Sequence, residues 1–267
     1  MNRDYVHGYS AKENTRLVDQ ATTLTELLHS DTAYPAGSLV LEAGCGVGAQ
    51  TVTLAAHSPD AAVVSIDISA TSLAEAQQRT RAAGLHNVTF LQADIFNLPF
   101  PDEHFDHVFV CFVLEHLPNP DEALACLRRV LKPGGTITVI EGDHGSAYFH
   151  PDSPLAQQAI QCLIDLQRQA GGDSLIGRRL YPLLTQADFA DVRVSPRMVY
   201  ADATRPELVD GFTRKTFTAM VEGVGRQAVD QGLMDEASWA AGIRDLYRTA
   251  EADGTFCYTF FKAVGTR

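Results

Sequence analysis

The chain has 267 residues, of which 45% are hydrophobic and 20% charged, the composition of a globular protein and not of a disordered one. With 33 acidic and 21 basic residues, the formal charge is −12, which makes nucleic-acid phosphates and anionic membranes poor partners. The sequence has no run of about 18 apolar residues and no apolar signal segment, and its five cysteines form no CxxC pair. We therefore expect a cytoplasmic protein with free thiols.

The first half of the chain alternates predicted strands and helices. A helix is predicted over 10–30, and five short apolar strands follow at 38–42, 62–67, 88–92, 105–112 and 136–141. Helices are predicted between them at 49–56, 69–83 and 120–131. Strands that are almost wholly apolar indicate burial on both faces, as in a parallel sheet covered by helices. This order predicts a doubly wound α/β fold.

The pattern changes after residue 142. Helices are predicted at 154–170 and 176–187, and further helical sequence at 205–250. A strand at 192–200 contains Pro196, which favours an edge position or a bulge. The aromatic stretch 255–264 predicts a final strand, the seventh. We interpret 143–180 and 202–253 as helical insertions that cover the C-terminal edge of the sheet.

The strongest chemical signal is LEAGCGVG at 41–48, where an acid and alternating glycines follow a predicted strand. Glycines allow a tight turn and a close approach of the backbone to a ligand. A pyrophosphate at a helix N-terminus needs positive potential, so Glu42 is poorly placed for one. The acid instead favours a ligand that carries a cation at this point, such as an α-ammonium group.

Two further carboxylates end the next two strands. Asp67 is placed to accept both ribose hydroxyls of a nucleoside, and Asp94 is placed to accept the exocyclic amine of a base. Because the C-terminal ends of parallel strands meet at one edge of a sheet, these acids and Glu42 are expected to lie together. The combination indicates a nucleoside ligand with a positively charged group.

These residues resemble the class I S-adenosylmethionine (SAM)-dependent methyltransferases of small-molecule type. The resemblance covers about 38–141 and also rests on Phe105-Asp106, Leu114-Glu115-His116-Leu117 and LKPGG at 131–135. It implies a doubly wound, seven-stranded, mostly parallel sheet with an antiparallel last strand and helical lid insertions. It also implies SAM as cofactor and S-adenosylhomocysteine (SAH) as product. From the order of predicted elements we expect an N-terminal helical cap (1–37), a SAM-binding Rossmann-like core (38–142), a helical insertion (143–180) and the C-terminal part of the sheet with a helical insertion at 202–253 (181–267).

The resemblance assigns the cofactor residues position by position. It places Glu42 near the methionine ammonium, and Arg16 and Gln20 within reach of the methionine carboxylate. The remaining assignments are Gly44, Cys45 and Gly46 under the methionine part, Asp67 on the ribose, Ile68 on adenine, Asp94 and Ile95 at the adenine amine, Cys111 and Phe112 along the methionine moiety, and Tyr5 and Tyr9 folded over the cofactor.

A general base is needed only if the methyl acceptor starts protonated. Our candidates are His144 and His116, followed by Glu115 and Asp143, because histidine titrates near neutrality. Tyr5 is a further candidate at the methyl-transfer face. We expect a small-molecule acceptor that is methylated on N, O, S or C, no metal, and a monomer or homodimer.

Two alternatives stay open at this point. The spacing of Gly44, Gly46 and Ala49 satisfies a loose dinucleotide fingerprint, which would fit an NAD(P)-dependent oxidoreductase. Glu42 and the 132–135 run count against it. The second alternative is a non-catalytic protein that binds SAM or SAH without turnover.

Overall fold

The computed structural model describes residues 11–267 and contains a seven-stranded sheet with flanking helices. The strands are β1 (Leu39–Ala43), β2 (Ala62–Asp67), β3 (Val88–Gln92), β4 (Phe105–Cys111), β5 (Leu131–His150), β6 (Ala190–Ala201) and β7 (Thr255–Thr266). The helices are α1 (Ala11–His29), α2 (Ala49–His57), α3 (Ala70–Ala82), α4 (Pro120–Val130), α5 (Pro154–Gln169), α6 (Leu180–Gln186), α7 (Pro206–Leu208), α8 (Ala219–Gly223), α9 (Gly225–Asp230) and α10 (Glu236–Arg248). Leu114–His116 and Ile176–Arg179 are 3-10 helices, and Val209–Thr218 is a π-helix.

The strand order in the sheet is β3-β2-β1-β4-β5-β7-β6. Strands β1 to β5 pair in parallel. β7 runs against β5, because the N–H of Gly134 donates to the carbonyl of Arg267 and the N–H of Arg267 donates to that of Gly135. The predicted mostly parallel, doubly wound sheet with an antiparallel last strand is confirmed. β6 lies at the edge of the sheet and contains Pro196, as its sequence predicts.

The fifth strand is the clearest difference from the sequence prediction. β5 starts at Leu131 and ends at His150, whereas 136–141 is the predicted strand, so both predicted ends are wrong. Phe105 pairs with Leu131 and His107 pairs with Thr136, so the intervening residues 132–135 form a bulge. Beyond residue 141 the strand continues despite two glycines, because it forms backbone hydrogen bonds with its partner β7. The local sequence gives no sign of this pairing.

The structure divides into two compact units. The sheet unit comprises Leu28–Glu141, Ile176–Pro196 and Phe261–Arg267. The helical unit comprises Gly142–Leu175, Arg197–Phe260 and the described residues up to Leu27. Strands β5, β6 and β7 each contribute residues to both units. Within 11–267, no helix is long and apolar enough to cross a membrane.

Helix α4 shows how the sequence forms the core of the sheet unit. The helix begins at Pro120, carries Asp121 and Glu122 in its first turn and two arginines in its last, in keeping with the helix dipole. One face, formed by Ala123, Leu124, Leu127 and Val130, is buried. It belongs to the same apolar cluster as β4 and β5 residues such as Phe105, Val108, Val110, Ile137 and Val139.

Asp106 and Lys132 belong to the motifs that carry the family resemblance, and their contacts stabilise the sheet. Asp106 accepts a hydrogen bond from the N–H of Leu39 at 2.8 Å and pairs with the Lys132 ammonium at 2.6 Å. The Lys132 ammonium holds the pKa of Asp106 below its usual range. These contacts join the beginnings of β1, β4 and β5, at the end of the sheet opposite the strand ends that carry the candidate site.

In the helical unit, α5 packs closely on α10. Ser153 caps α5 by accepting the N–H of Ala156, and its hydroxyl donates to Asp245 on α10. A Cβ at Gly242 would lie 2.5 Å from the carbonyl oxygen of Leu155, so the close contact depends on glycine. This core also contains an aromatic cluster contributed by the π-helix and β7, namely Phe212, Phe217, Phe256, Tyr258 and Phe260.

Candidate cofactor and acceptor sites

The C-terminal ends of β1, β2 and β3 carry the three predicted cofactor carboxylates. Parallel pairing aligns Glu42 with Ser65 and Asp67 with Gln92. Asp94 follows the end of β3 after one intervening residue. The structure therefore brings Glu42, Asp67 and Asp94 to the edge at which open parallel sheets bind ligands.

The glycine loop between β1 and α2 has a backbone that only glycine adopts readily. Gly46 has φ +52°, and a Cβ there would meet nothing within 4 Å, so its backbone faces open space. Gly48 has φ +77° and begins α2, and a Cβ there would lie 2.8 Å from the Cα of Ala76 on α3. Gly48 thus permits close helix packing, while Gly46 leaves room for a ligand against the main chain.

The amides of this loop are used within the protein. The N–H groups of Gly44 and Cys45 both donate to the carbonyl of Ile66, at 2.8 and 2.9 Å. The N–H of Gly46 donates to Asp67 Oδ2 at 2.8 Å. Three successive donors that would bind a pyrophosphate in a dinucleotide fold are therefore engaged by β2 and its terminal acid.

Asp67 and Ile68 combine a carboxylate with an exposed apolar side chain. Asp67 Oδ1 accepts the N–H of Ser69 at 2.8 Å, which fixes the carboxylate together with its bond to Gly46. Burial raises the pKa of Asp67 above its usual value. Ile68 is 54% exposed, an unusual state for an isoleucine next to a buried strand. The pair presents a hydrogen-bond acceptor and an apolar surface side by side.

Glu42 is a buried carboxyl with two neutral hydrogen-bond donors. Its Oε2 accepts the hydroxyls of Thr51 at 2.7 Å and Ser65 at 2.6 Å. Burial raises the pKa of Glu42 to about 7, and the charge of Asp67 contributes to the same shift. A cation near Glu42 would favour the ionised carboxylate and lower this pKa again.

Asp94 and Ile95 form a tight turn after β3. Asp94 Oδ1 accepts the N–H of Phe96 at 3.0 Å, and the Asp94 carbonyl accepts the N–H of Asn97. Asp94 is half-buried, whereas Ile95 is buried within the apolar cluster of the sheet unit. Of the two isoleucines expected near adenine, Ile68 is therefore the exposed one.

The turn after β4 carries four more predicted site residues. Cys111 ends the strand, and burial raises the pKa of its thiol, as it does for Cys45, so both remain protonated. Phe112 has φ +57°, a strained backbone conformation for an aromatic residue. Glu115 and His116 follow in a 3-10 helix, with His116 Nε2 at 3.5 Å from Glu115 Oε1.

Glu141 holds this turn in place, and sequence reasoning missed it. The carboxyl is fully buried in β5, and its Oε1 accepts the N–H groups of Val113 at 3.0 Å and Leu114 at 2.7 Å. Burial, and then the charge of Glu115, raise the pKa of Glu141 well above its ordinary value. The available signal was a single acid at the end of the apolar run TITVI.

His144 in the helical unit forms a buried pair with Tyr258. His144 Nδ1 lies 2.8 Å from Tyr258 Oη, and the backbone N–H of His144 donates to the carbonyl of Ser174 at 2.9 Å. A Cβ at position 142 would collide with Tyr258 Oη, so the tyrosine can occupy this position only because residue 142 is glycine. The sequence analysis predicted only a strand at 255–264 and gave no role to Tyr258, the hydroxyl-bearing ring of an otherwise phenylalanine-rich run.

The remaining predicted residues belong to the N-terminal part of the chain. Tyr5 and Tyr9 lie outside the described residues. Arg16 and Gln20 are on α1, where Arg16 Nη1 donates to Gln20 Oε1 at 2.9 Å. Both belong to the helical unit, so their assignment to the cofactor carboxylate stays a prediction.

Comparison with known proteins matches residues 41–139 to the family described as "Methyltransferase domain". An uncharacterised 37.1 kDa protein of a Streptomyces fradiae transposon is 33% identical over 220 residues, covering 77% of this chain and 62% of that protein. The demethylmenaquinone methyltransferase of Geobacillus stearothermophilus is 37% identical over 106 residues, covering 39% of this chain and 45% of that protein. A SAM-dependent methyltransferase structure from Aquifex aeolicus aligns with a TM-score of 0.51 at 15% identity, over 95% of this chain and 99% of the other.

Residues 41–139 match the methyltransferase domain family, in agreement with the resemblance found in the sequence, and the Aquifex aeolicus structure shares the fold. The matched range contains the predicted cofactor residues from Glu42 to Phe112, together with Glu115 and His116. The chain spans less than two thirds of the length of the two curated relatives.

Proposed function

We propose that this chain is an enzyme that transfers a methyl group from SAM to a small-molecule acceptor. The proposal rests on Glu42, Asp67 and Asp94 at the ends of successive parallel strands, around a glycine loop and within the matched domain. The name of one relative gives demethylmenaquinone, a small molecule, as the acceptor of that enzyme. A reducing cytoplasmic compartment fits the five cysteines, all of which are free thiols.

The residues of the sheet unit fit SAM in chemical terms. Asp67 would accept the ribose hydroxyls, Ile68 would cover adenine, and Asp94 would accept the adenine amine. The open backbone at Gly46 leaves space for the methionine part, and Glu42 would face its ammonium group. When bound, SAM supplies a methyl group that is already activated by a positively charged sulfur. The protein therefore has to position the acceptor, exclude water and, where the acceptor starts protonated, receive its proton.

We propose that His144, held by Tyr258, receives the proton from the methyl acceptor. If Tyr258 Oη accepts the Nδ1 proton of His144, the Nε2 atom carries the lone pair that takes a proton from the acceptor. Tyr258 fixes the ring orientation because it is itself buried among phenylalanines. Glu115 and His116, close together after β4, are the alternative pair.

We expect His144→Ala to lower kcat by about 10²–10⁴-fold while SAH affinity stays unchanged. The reason is that His144 acts on the acceptor proton and not on the cofactor. SAH release would be measured with the best acceptor from a panel of small phenols, amines and thiols. Tyr258→Phe should shift the pH dependence of kcat, because the phenylalanine cannot hold the Nδ1 proton.

His116→Ala is the matched control for this experiment, since it removes a histidine from the alternative pair. Its kcat should remain within a few-fold of the wild-type value. Equal losses in the two variants, or a loss only in His116→Ala, would assign the proton transfer to the residues after β4 instead. Binding of SAH without turnover of any acceptor would favour the non-catalytic alternative.

The oxidoreductase alternative receives no support from the loop geometry. The N–H groups of Gly44, Cys45 and Gly46 donate to protein acceptors, so they are not directed at a pyrophosphate. The buried carboxyl of Glu42 adds negative charge at the point where a pyrophosphate would sit.

A further inference from the structure

His29, the last residue of α1, lies buried in the sheet unit with 1% of its surface exposed. Its ring packs against that of Phe109 on β4, with the ring centroids 5.8 Å apart. Its Nε2 atom lies 2.8 Å from Oε1 of Gln50, the second residue of α2. A buried histidine therefore contacts the first turn of the helix that begins directly after the glycine loop.

The chain around His29 is anchored to β7. The buried ammonium of Lys262 on β7 donates to Asp31 Oδ1 and to Thr32 Oγ1, both at 2.6 Å. The N–H of Thr32 donates in turn to the carbonyl of His29 at 3.0 Å. The contact between His29 and Gln50 is therefore a fixed feature of the sheet unit.

The position of the proton on the His29 ring follows from its surroundings. Nδ1 is buried and has no hydrogen-bond partner in the described part of the chain. A proton on Nδ1 would be an unsatisfied donor, whereas a proton on Nε2 has Gln50 Oε1 as its acceptor. Burial lowers the pKa of His29 to about 4, and the charge of Lys262 contributes to the same shift. At pH 7 the ring is therefore neutral, and its Nε2–H donates to Gln50.

This hydrogen bond sets the orientation of the Gln50 carboxamide. Because the amide oxygen is bonded to His29, the two N–H donors of the planar group point in another direction. No acceptor within residues 11–267 receives them, and the Gln50 side chain is only half-buried. Two oriented donors are therefore left for a ligand in the first turn of α2.

The first turn of α2 also contacts Glu42, the residue proposed to face the ammonium group of the methionine part. Thr51, which follows Gln50, is fully buried and donates its hydroxyl to Glu42 Oε2 at 2.7 Å. The carboxylate of an α-amino acid is on the same carbon as the ammonium group, so it needs hydrogen-bond donors close to Glu42. The N–H groups of residues 44–46 are engaged within the protein and do not supply them.

We infer that His29 is a positioning residue of the cofactor site, which holds the Gln50 carboxamide so that its N–H groups donate to the carboxylate of the methionine part. This inference rests on the proposed function, because it takes SAM as the ligand of the glycine loop. It gives the carboxylate a partner within the sheet unit, the same unit as Glu42, Asp67 and Asp94. His29 itself acts only through Gln50.

The test compares two ligands by calorimetry on the full chain. SAH carries the carboxylate, whereas S-adenosyl-3-thiopropylamine has the same structure without it. We expect Gln50→Ala to weaken SAH binding by about tenfold or more, because SAH loses a hydrogen bond to a charged group. The affinity for the amine should not change. His29→Phe should weaken SAH binding by about three- to tenfold with the same selectivity, since the amide is no longer held.

Two further variants separate positioning from a structural role. His29→Gln keeps an N–H donor and should restore the SAH affinity. The double variant His29→Phe/Gln50→Ala should bind SAH as weakly as Gln50→Ala alone, because His29 acts through Gln50. The matched control is His57→Phe, the same substitution at the exposed last residue of α2, which should leave both affinities unchanged.

Three results would overturn the inference. They are unchanged SAH affinity in Gln50→Ala, equal losses for the two ligands, and additive losses in the double variant. Each would reduce the bond between His29 and Gln50 to a structural contact between α1 and α2. Binding of neither ligand to the wild type would refute the proposed function, and this inference with it.

Discussion

Asp67→Ala is expected to weaken SAH binding by about 100-fold or more. Asp67 is held by the N–H groups of Gly46 and Ser69, so its carboxylate is fixed in the position proposed for the ribose hydroxyls. Each hydrogen bond to a charged group contributes about 1.5–3 kcal/mol, and the variant loses two of them. Calorimetric titration with SAH measures the loss directly.

The control for this experiment is Asp60→Ala, which makes the same change of charge at an exposed position. Its SAH affinity should match that of the wild type. Circular dichroism should show that Asp67→Ala is folded, although the loss of two loop hydrogen bonds lowers its stability by about 1–3 kcal/mol. A folded Asp67→Ala protein with wild-type SAH affinity would refute the assignment of the cofactor site.

Glu141→Ala is expected to lower the free energy of unfolding by about 3–5 kcal/mol. The substitution leaves the N–H groups of Val113 and Leu114 without their acceptor and opens a cavity in β5. It should also weaken SAH binding, because these amides begin the turn that carries Phe112 and Glu115. Urea unfolding at pH 7 provides the measurement.

Glu141→Gln distinguishes the hydrogen bonds from the charge. The amide oxygen can still accept both N–H groups, so this variant should be far more stable than Glu141→Ala. Burial raises the folded-state pKa of Glu141 well above its ordinary value of 4.5, so the folded protein keeps a proton that the unfolded chain releases. Between those two pKa values, the wild type therefore loses stability as the pH rises.

The pH dependence of stability can be compared directly between Glu141→Gln and the wild type. The stability of Glu141→Gln relative to the wild type should increase from pH 5 to pH 8, because glutamine has no proton to lose. A stability difference that is constant over this range would mean that Glu141 is ionised in the folded protein.

The strands and the three cofactor carboxylates could be predicted because their signals are local. Short, mostly apolar runs mark β2 and β3 in full, and acids at strand ends mark Glu42, Asp67 and Asp94. In a parallel sheet, consecutive strand ends meet at one edge. Spacing along the chain was therefore enough to group these residues.

The features that were missed depend on contacts between distant parts of the chain. His144 was a candidate from the sequence, but its bond to Tyr258 joins residues that are 114 positions apart. β5 extends beyond Glu141 because it pairs with β7, which is similarly distant in the chain. Glu141 gains its role only through two amides on the turn after β4. The π-helix has no simple hydrophobic period, so 205–250 could be predicted only as helical.

Calorimetric titration of the full chain with SAH tests the central claim most directly. We expect saturable binding of one SAH per chain and no heat of binding with NADH. At pH 7 binding should also release protons, because the ammonium group of SAH lowers the pKa of Glu42 from about 7. Titrations in two buffers of different ionisation enthalpy measure this release. Binding of NADH with no binding of SAH would contradict the claim and make the glycine loop a dinucleotide site.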